Sequence, residues 1–125
     1  MTSPTRMLTT AVLSLRVIYG VALIAAPARL SRRWLGPDSQ RAPTQVALRG
    51  LGAREIAVHV AALVTAIRGG RLRWYFAASI AGDLSDVAAT VAGRKQLPDG
   101  SPAATIAVAG GSALLTAAVA ALAER

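Results

Sequence analysis

The stretch RGLGAREIAVHVAALVTAI, Arg49 to Ile67, is long and apolar enough to cross a bilayer, yet its first half carries two arginines, a glutamate and a histidine. At about 1.5 Å rise per residue, a helix of roughly twenty residues matches a hydrocarbon core of about 30 Å. Leaving one ionised side chain in lipid costs about 2.5 to 3.5 kcal/mol or more. A spanning helix of this kind therefore needs charged partners at its own depth on other helices.

Three further apolar blocks surround it. They run from about Met7 to Ala26, Trp74 to Gly93 and Ala103 to Ala123, and the Arg49 stretch itself extends back to about Gln45. The connectors are rich in Pro, Gly and Arg: PARLSRRWLGPDSQRAPT (27–44), RGGRLR (68–73) and RKQLPDGSP (94–102), which read as loops and turns. Trp34, Trp74 and Tyr75 lie in or beside them, where amphipathic rings favour the headgroup region. Short connectors imply antiparallel neighbours. The expected fold is all-α, a four-transmembrane-helix antiparallel bundle forming a single integral membrane domain over 1–125, with spans at about 7–26, 45–67, 74–93 and 103–123.

A spanning barrel is excluded because the alanine-rich blocks lack period-two alternation. A soluble four-helix bundle would show a charged outer face, and AATIAVAGGSALLTAAVAALA (103–123) has no charge at all. Ala26-Pro27-Ala28 has the small-residue pattern of a signal-peptide cleavage site. The preceding run is long, contains Arg16 and is followed by three more blocks, so an uncleaved first helix is expected.

Composition points the same way, with 54% hydrophobic residues but only 4% aromatic. Cysteine is absent, which removes disulfides, thiolate metal sites and cysteine nucleophiles. The net charge of +8 would suggest nucleic acid in a soluble protein. Here the charges inside the blocks cancel, Arg16, Arg49 and Arg54 against Glu55, Asp83 and Asp86, so the excess lies in connectors and termini. Anionic membrane lipid is thus the expected partner and nucleic acid is not. Arg29, Arg32, Arg33, Arg41, Arg94 and Lys95 on one side face Arg6, Arg68, Arg71, Arg73 and Arg125 on the other, a balance too even to orient the chain.

Depth sharpens the pattern. Arg16, Arg54, Glu55 and Asp83 all fall about 15 Å from the side shared by the first and third connectors, and Arg49 and Asp86 lie nearer that side. On the third block Ser79, Asp83, Asp86 and Thr90 form one polar stripe flanked by Gly82. On the second, Arg49, Gly52, Ile56 and His59 share a face with Glu55 at its edge, and Arg54 points elsewhere. On the first, Arg16, Tyr19 and Gly20 share a face. The fourth offers Gly110, Gly111, Ser112 and Thr116, which suits close helix packing.

These residues admit two readings. Asp83, Asp86 and Glu55 are candidates for acid/base chemistry, because carboxylates one turn apart in low dielectric titrate separately. Arg16, Tyr19, Arg49, His59 and Ser79 would then bind substrate. Alternatively the arginines neutralise the acids and the cluster sets helix register. The adjacent arginines oppose a metal ion at Asp83, Asp86, Glu55 and His59, so neither a metal nor another cofactor is expected. The Gly-x-Gly of RGLGARE lacks the rest of a dinucleotide fingerprint. GDLSD likewise lacks the remainder of a metal-dependent phosphotransferase signature.

In length and block count the chain is similar to small multidrug exporters, but their defining first-helix glutamate is replaced by Arg16. The Arg-Gly-x-Gly-x-Arg-Glu segment at Arg49 to Glu55, followed by Gly-Asp-x-x-Asp at Gly82 to Asp86, resembles small uncharacterised actinobacterial four-helix integral membrane proteins. The likeness spans most of the chain and implies architecture without an activity. The leading functional expectation is binding or acid/base conversion, of an isomerisation or cyclisation type, of a lipophilic small molecule by a multi-pass plasma-membrane protein. The alternatives are a non-catalytic scaffold or accessory subunit, and a proton-coupled exporter acting as a homo-oligomer, specifically a dimer.

Overall fold

The computed structural model describes all residues, 1–125, and is entirely helical. Its elements are α1 (Ser3–Ala25), α2 (Pro27–Leu35), α3 (Ala42–Ile67), α4 (Arg73–Ala92) and α5 (Ser101–Ala123), with short 3-10 turns at Gly36–Gln40 and Arg94–Gln96.

The first connector departs from expectation. Residues 27–44 read as loop, yet most of the segment is helical. The prolines that suggested a loop are helix starters: Pro27 opens α2, Pro37 lies at the start of its 3-10 turn and Pro43 lies in the first turn of α3. A proline there gives up an N–H that has no intrahelical acceptor, and its fixed φ already suits the helix. Pro4 and Pro102 do the same for α1 and α5, so these helices and α3 begin a few residues earlier than the apolar pattern indicates. At the N-terminus of α1 the Thr2 hydroxyl also accepts from the Thr5 amide. Gly36, Gly69 and Gly100 take positive φ values of 62°, 71° and 77° at the three reversals between long helices.

Packing divides the long helices into two pairs. α1 lies along α3 and α4 along α5, whereas only a few contacts join one pair to the other. The α1–α3 seam is closest where Gly20 meets Gly52. By contrast Gly82, Gly110 and Gly111 have open space where a side chain would be, so the expectation that the α5 glycines serve close packing is not met. A compact apolar cluster of Val12, Leu13, Ala62, Leu72, Phe76 and Val119 holds the two pairs together.

The distribution of polarity is inverted relative to a water-soluble fold. Thr9, His59, Ser79, Asp83, Thr90 and Thr116 are buried, while Met7, Val46, Val108 and Leu114 are each at least 70% exposed. Ser3–Ala25, Ala42–Ile67 and Ser101–Ala123 are long and apolar enough to cross a membrane. Together these features mark a membrane protein. At twenty residues α4 has the length, but its two aspartates leave it less apolar than the other three.

Candidate functional site

Arg16 is the point at which all four long helices meet. Its Nη1 donates to Asp83 Oδ1 on α4 at 2.7 Å and to Ser112 Oγ on α5 at 3.0 Å. Its Nε lies 3.2 Å from Glu55 Oε2 on α3. That last contact is an ion pair by distance alone, because the N–H is directed off the oxygen and neither atom gains a hydrogen bond. Asp83 Oδ2 is also buried without a partner. The guanidinium thus neutralises charge while leaving acceptor capacity unfilled, which is costly in a low-dielectric interior.

Behind Glu55 lies a second polar group. His59, only 1% exposed, has Nδ1 2.7 Å from the Glu55 carbonyl oxygen and Nε2 2.6 Å from Ser79 Oγ. A carbonyl can only accept, so Nδ1 carries the proton. Ser79 Oγ lies 3.0 Å from the Tyr75 carbonyl as well. The serine hydroxyl therefore has two acceptors within reach when the imidazole is neutral.

In front of Arg16, between the two helix pairs, is a cavity of about 720 Å³. Arg16, Glu55, Asp83, Asp86 and Tyr19 all line it. Asp86 is half-buried and makes no ion pair, and the Tyr19 phenol makes no hydrogen bond within the protein. The walls are apolar. Leu15, Val108 and Leu115 line the cavity yet are 65%, 74% and 49% exposed, so it opens sideways between α1 and α5 toward the surroundings of the bundle.

One end is closed by α2, an element that did not figure in the expected site. Leu30, Ser31 and Trp34 face the cavity, while Arg29, Arg32 and Arg33 are exposed. Trp34 Nε1 donates to Thr90 Oγ1 at 3.1 Å and the Trp34 carbonyl accepts from Ser101 Oγ at 2.6 Å, tying α2 to both α4 and α5. The alternation of Leu30, Ser31 and Trp34 with three arginines was the signal for this short amphipathic helix. The prolines on either side obscured it.

Of the residues singled out from sequence, Arg16, Glu55, Asp83, Asp86 and Tyr19 come together around the cavity, and His59 and Ser79 form the network behind it. Arg49 does not join them: it is exposed, and its Nε donates to the Ile24 carbonyl at 3.2 Å near the end of α1. Arg54 is exposed on α3 and forms no ion pair. No group of three or more His, Asp or Glu is placed to hold a metal ion. No family model, curated protein or solved structure matches the chain.

Proposed function

We propose that this is a multi-pass plasma-membrane protein in which α1, α3, α4 and α5 all span the bilayer, of the kind seen in small actinobacterial four-helix membrane proteins. Its function is to bind a lipophilic small molecule in the cavity between the helix pairs and to act on it by proton transfer. Asp86 and Asp83 are the acid/base pair, Glu55 and Arg16 set the charge around them, and Tyr19 directs a polar group of the substrate. The observation that carries this reading is a roomy apolar cavity with a carboxylate, Asp86, that no protein group neutralises. A lateral opening between α1 and α5 suits a substrate arriving from the lipid.

Arg16 touching three other helices supports a second reading, in which the cluster sets assembly in a scaffold subunit. Occupancy of the cavity separates the two. Trp34 lines the cavity and Trp74 is 72% exposed on the first turn of α4, so a Trp74→Phe protein has one tryptophan, placed to report on the cavity. In zwitterionic nanodiscs, bromodecane is expected to quench Trp34 saturably. Gly111→Leu, which places a side chain in the open space beside Gly111, is expected to abolish the saturable component. Quenching that is linear and identical in both proteins would remove the cavity as a binding site and leave the scaffold reading.

A further inference from the structure

The charge balance seen along the sequence does not hold in space. Three arginines and three acids lie within the apolar blocks, but Arg49 and Arg54 are exposed and do not line the cavity. Arg16 is left alone among Glu55, Asp83 and Asp86. Arg33 is the other cation on the cavity lining, and it is exposed on α2 at the closed end. The polar cluster around Arg16 therefore carries one fixed positive charge against three acidic groups.

Unfilled acceptors accompany the excess. Asp83 is 4% exposed with Oδ2 buried and unpartnered, and Glu55 Oε2 is buried without a hydrogen bond. Asp86 has no cationic partner. Of the other titratable groups nearby, Tyr19 can add a single donor, and His59 stands behind Glu55 with its Nδ1 3.5 Å from Oε2 and already engaged by the backbone. Besides Arg16, the cavity lining offers only Arg33 as a cation, and Arg33 makes no ion pair with any of the three acids.

We propose that the cavity selects a lipophilic cation with N–H donors, an alkylammonium-type amphiphile, whose ammonium pairs with Asp86 and whose apolar body occupies the cavity between α1 and α5. This deepens the function proposed above and rests on it. A buried charge must be compensated, and an ammonium beside Asp86 supplies the missing positive charge together with N–H donors for that carboxylate. An anionic head would face three acids. A neutral molecule would leave the excess unanswered, and a bare divalent cation finds no three-ligand group. Protons on the carboxyls are the remaining way to meet the excess, and competition distinguishes them from a bound cation.

The experiment uses the Trp74→Phe protein with bromodecane as reporter and relieves Trp34 quenching with unbrominated competitors. Decylammonium is expected to compete at least about tenfold more effectively than decanol, reflecting a charge-assisted hydrogen bond. Decyltrimethylammonium, which lacks N–H donors, should fall between them, and decanoate should be weakest. Asp86→Asn breaks no ion pair and should fold; it is expected to reduce the preference for decylammonium over decanol while bromodecane still binds. Equal competition by decylammonium and decanol would overturn the cation assignment and leave protons as the compensation, with the cavity intact. Absence of saturable bromodecane binding would overturn the cavity reading itself, and this inference with it.

Discussion

Gly20 on α1 and Gly52 on α3 cross so closely that a Cβ on Gly20 would lie 2.7 Å from the Gly52 carbonyl oxygen, and a Cβ on Gly52 2.6 Å from the Gly20 oxygen. Both obstacles are backbone, which cannot rotate aside. Gly20→Ala and Gly52→Ala are each expected to destabilise by about 1 to 3 kcal/mol, the usual cost of overpacking, despite the better helix propensity of alanine. Gly110→Ala, with open space around it, is expected to be neutral or stabilising by up to about 1 kcal/mol. Thermal unfolding in detergent would check the contrast, and equal melting of all three variants would count against the close seam.

Arg16 presents a different kind of dependence, because it is a partner to acids on two other helices. Arg16→Met leaves Glu55 and Asp83 without their only nearby arginine, and removing one member of a buried pair typically costs about 3 to 5 kcal/mol. Adding Asp83→Leu removes one stranded acid, so the double variant is expected to be more stable than Arg16→Met alone. Asp83→Asn keeps the shape and leaves Arg16 paired with Glu55; it should fold. A double variant less stable than the single would mean that the pair contributes more than mutual neutralisation.

Much of this arrangement was legible in the sequence and some was hidden for identifiable reasons. Ser79, Asp83 and Thr90 are all buried, and Asp86 is half-buried between them, because a four-three-four spacing leaves a helix little choice of which face to turn inward. Arg49 was misleading: its depth suited the cluster, but a long side chain near a helix end can reach a neighbouring helix's terminal carbonyl instead, here Ile24. α2 was hidden because proline marks both loops and first helical turns. Ser112 and Gly111 read as packing residues on a charge-free helix. Their roles, accepting from Arg16 and leaving the cavity open, depend on how α5 is placed by α4, which no local pattern encodes.

Closure of the cavity by α2 depends on the Trp34–Thr90 hydrogen bond. Trp34→Phe keeps the apolar ring but removes the donor, and Thr90→Val removes the acceptor, each at a cost of about 1 kcal/mol. Since both break the same bond, the double variant should be little worse than either single. The readout is local: tryptic cleavage after Arg29, Arg32 and Arg33, all exposed on α2, should accelerate in each variant. Unchanged cleavage would mean that α2 is held chiefly by the Ser101 contact to the Trp34 carbonyl.

The His59–Ser79 contact makes a final prediction, about a single proton. With Nδ1–H committed to the Glu55 carbonyl, a neutral imidazole presents Nε2 as an acceptor, and the Ser79 hydroxyl at 2.6 Å must donate to it. A protonated imidazole would instead donate from Nε2, and the hydroxyl would turn to the Tyr75 carbonyl 3.0 Å away. Both states are fully hydrogen-bonded, so the serine allows the histidine to change charge without leaving a buried polar atom unpaired. Ser79→Ala removes that accommodation and strands Nε2, which should destabilise by about 1 to 3 kcal/mol, whereas Ser79→Thr retains the hydroxyl and should be much milder. Nitrogen NMR of His59 in the unaltered protein is expected to show the Nδ1–H tautomer when the ring is neutral; an Nε2–H tautomer would contradict the hydrogen-bond assignment.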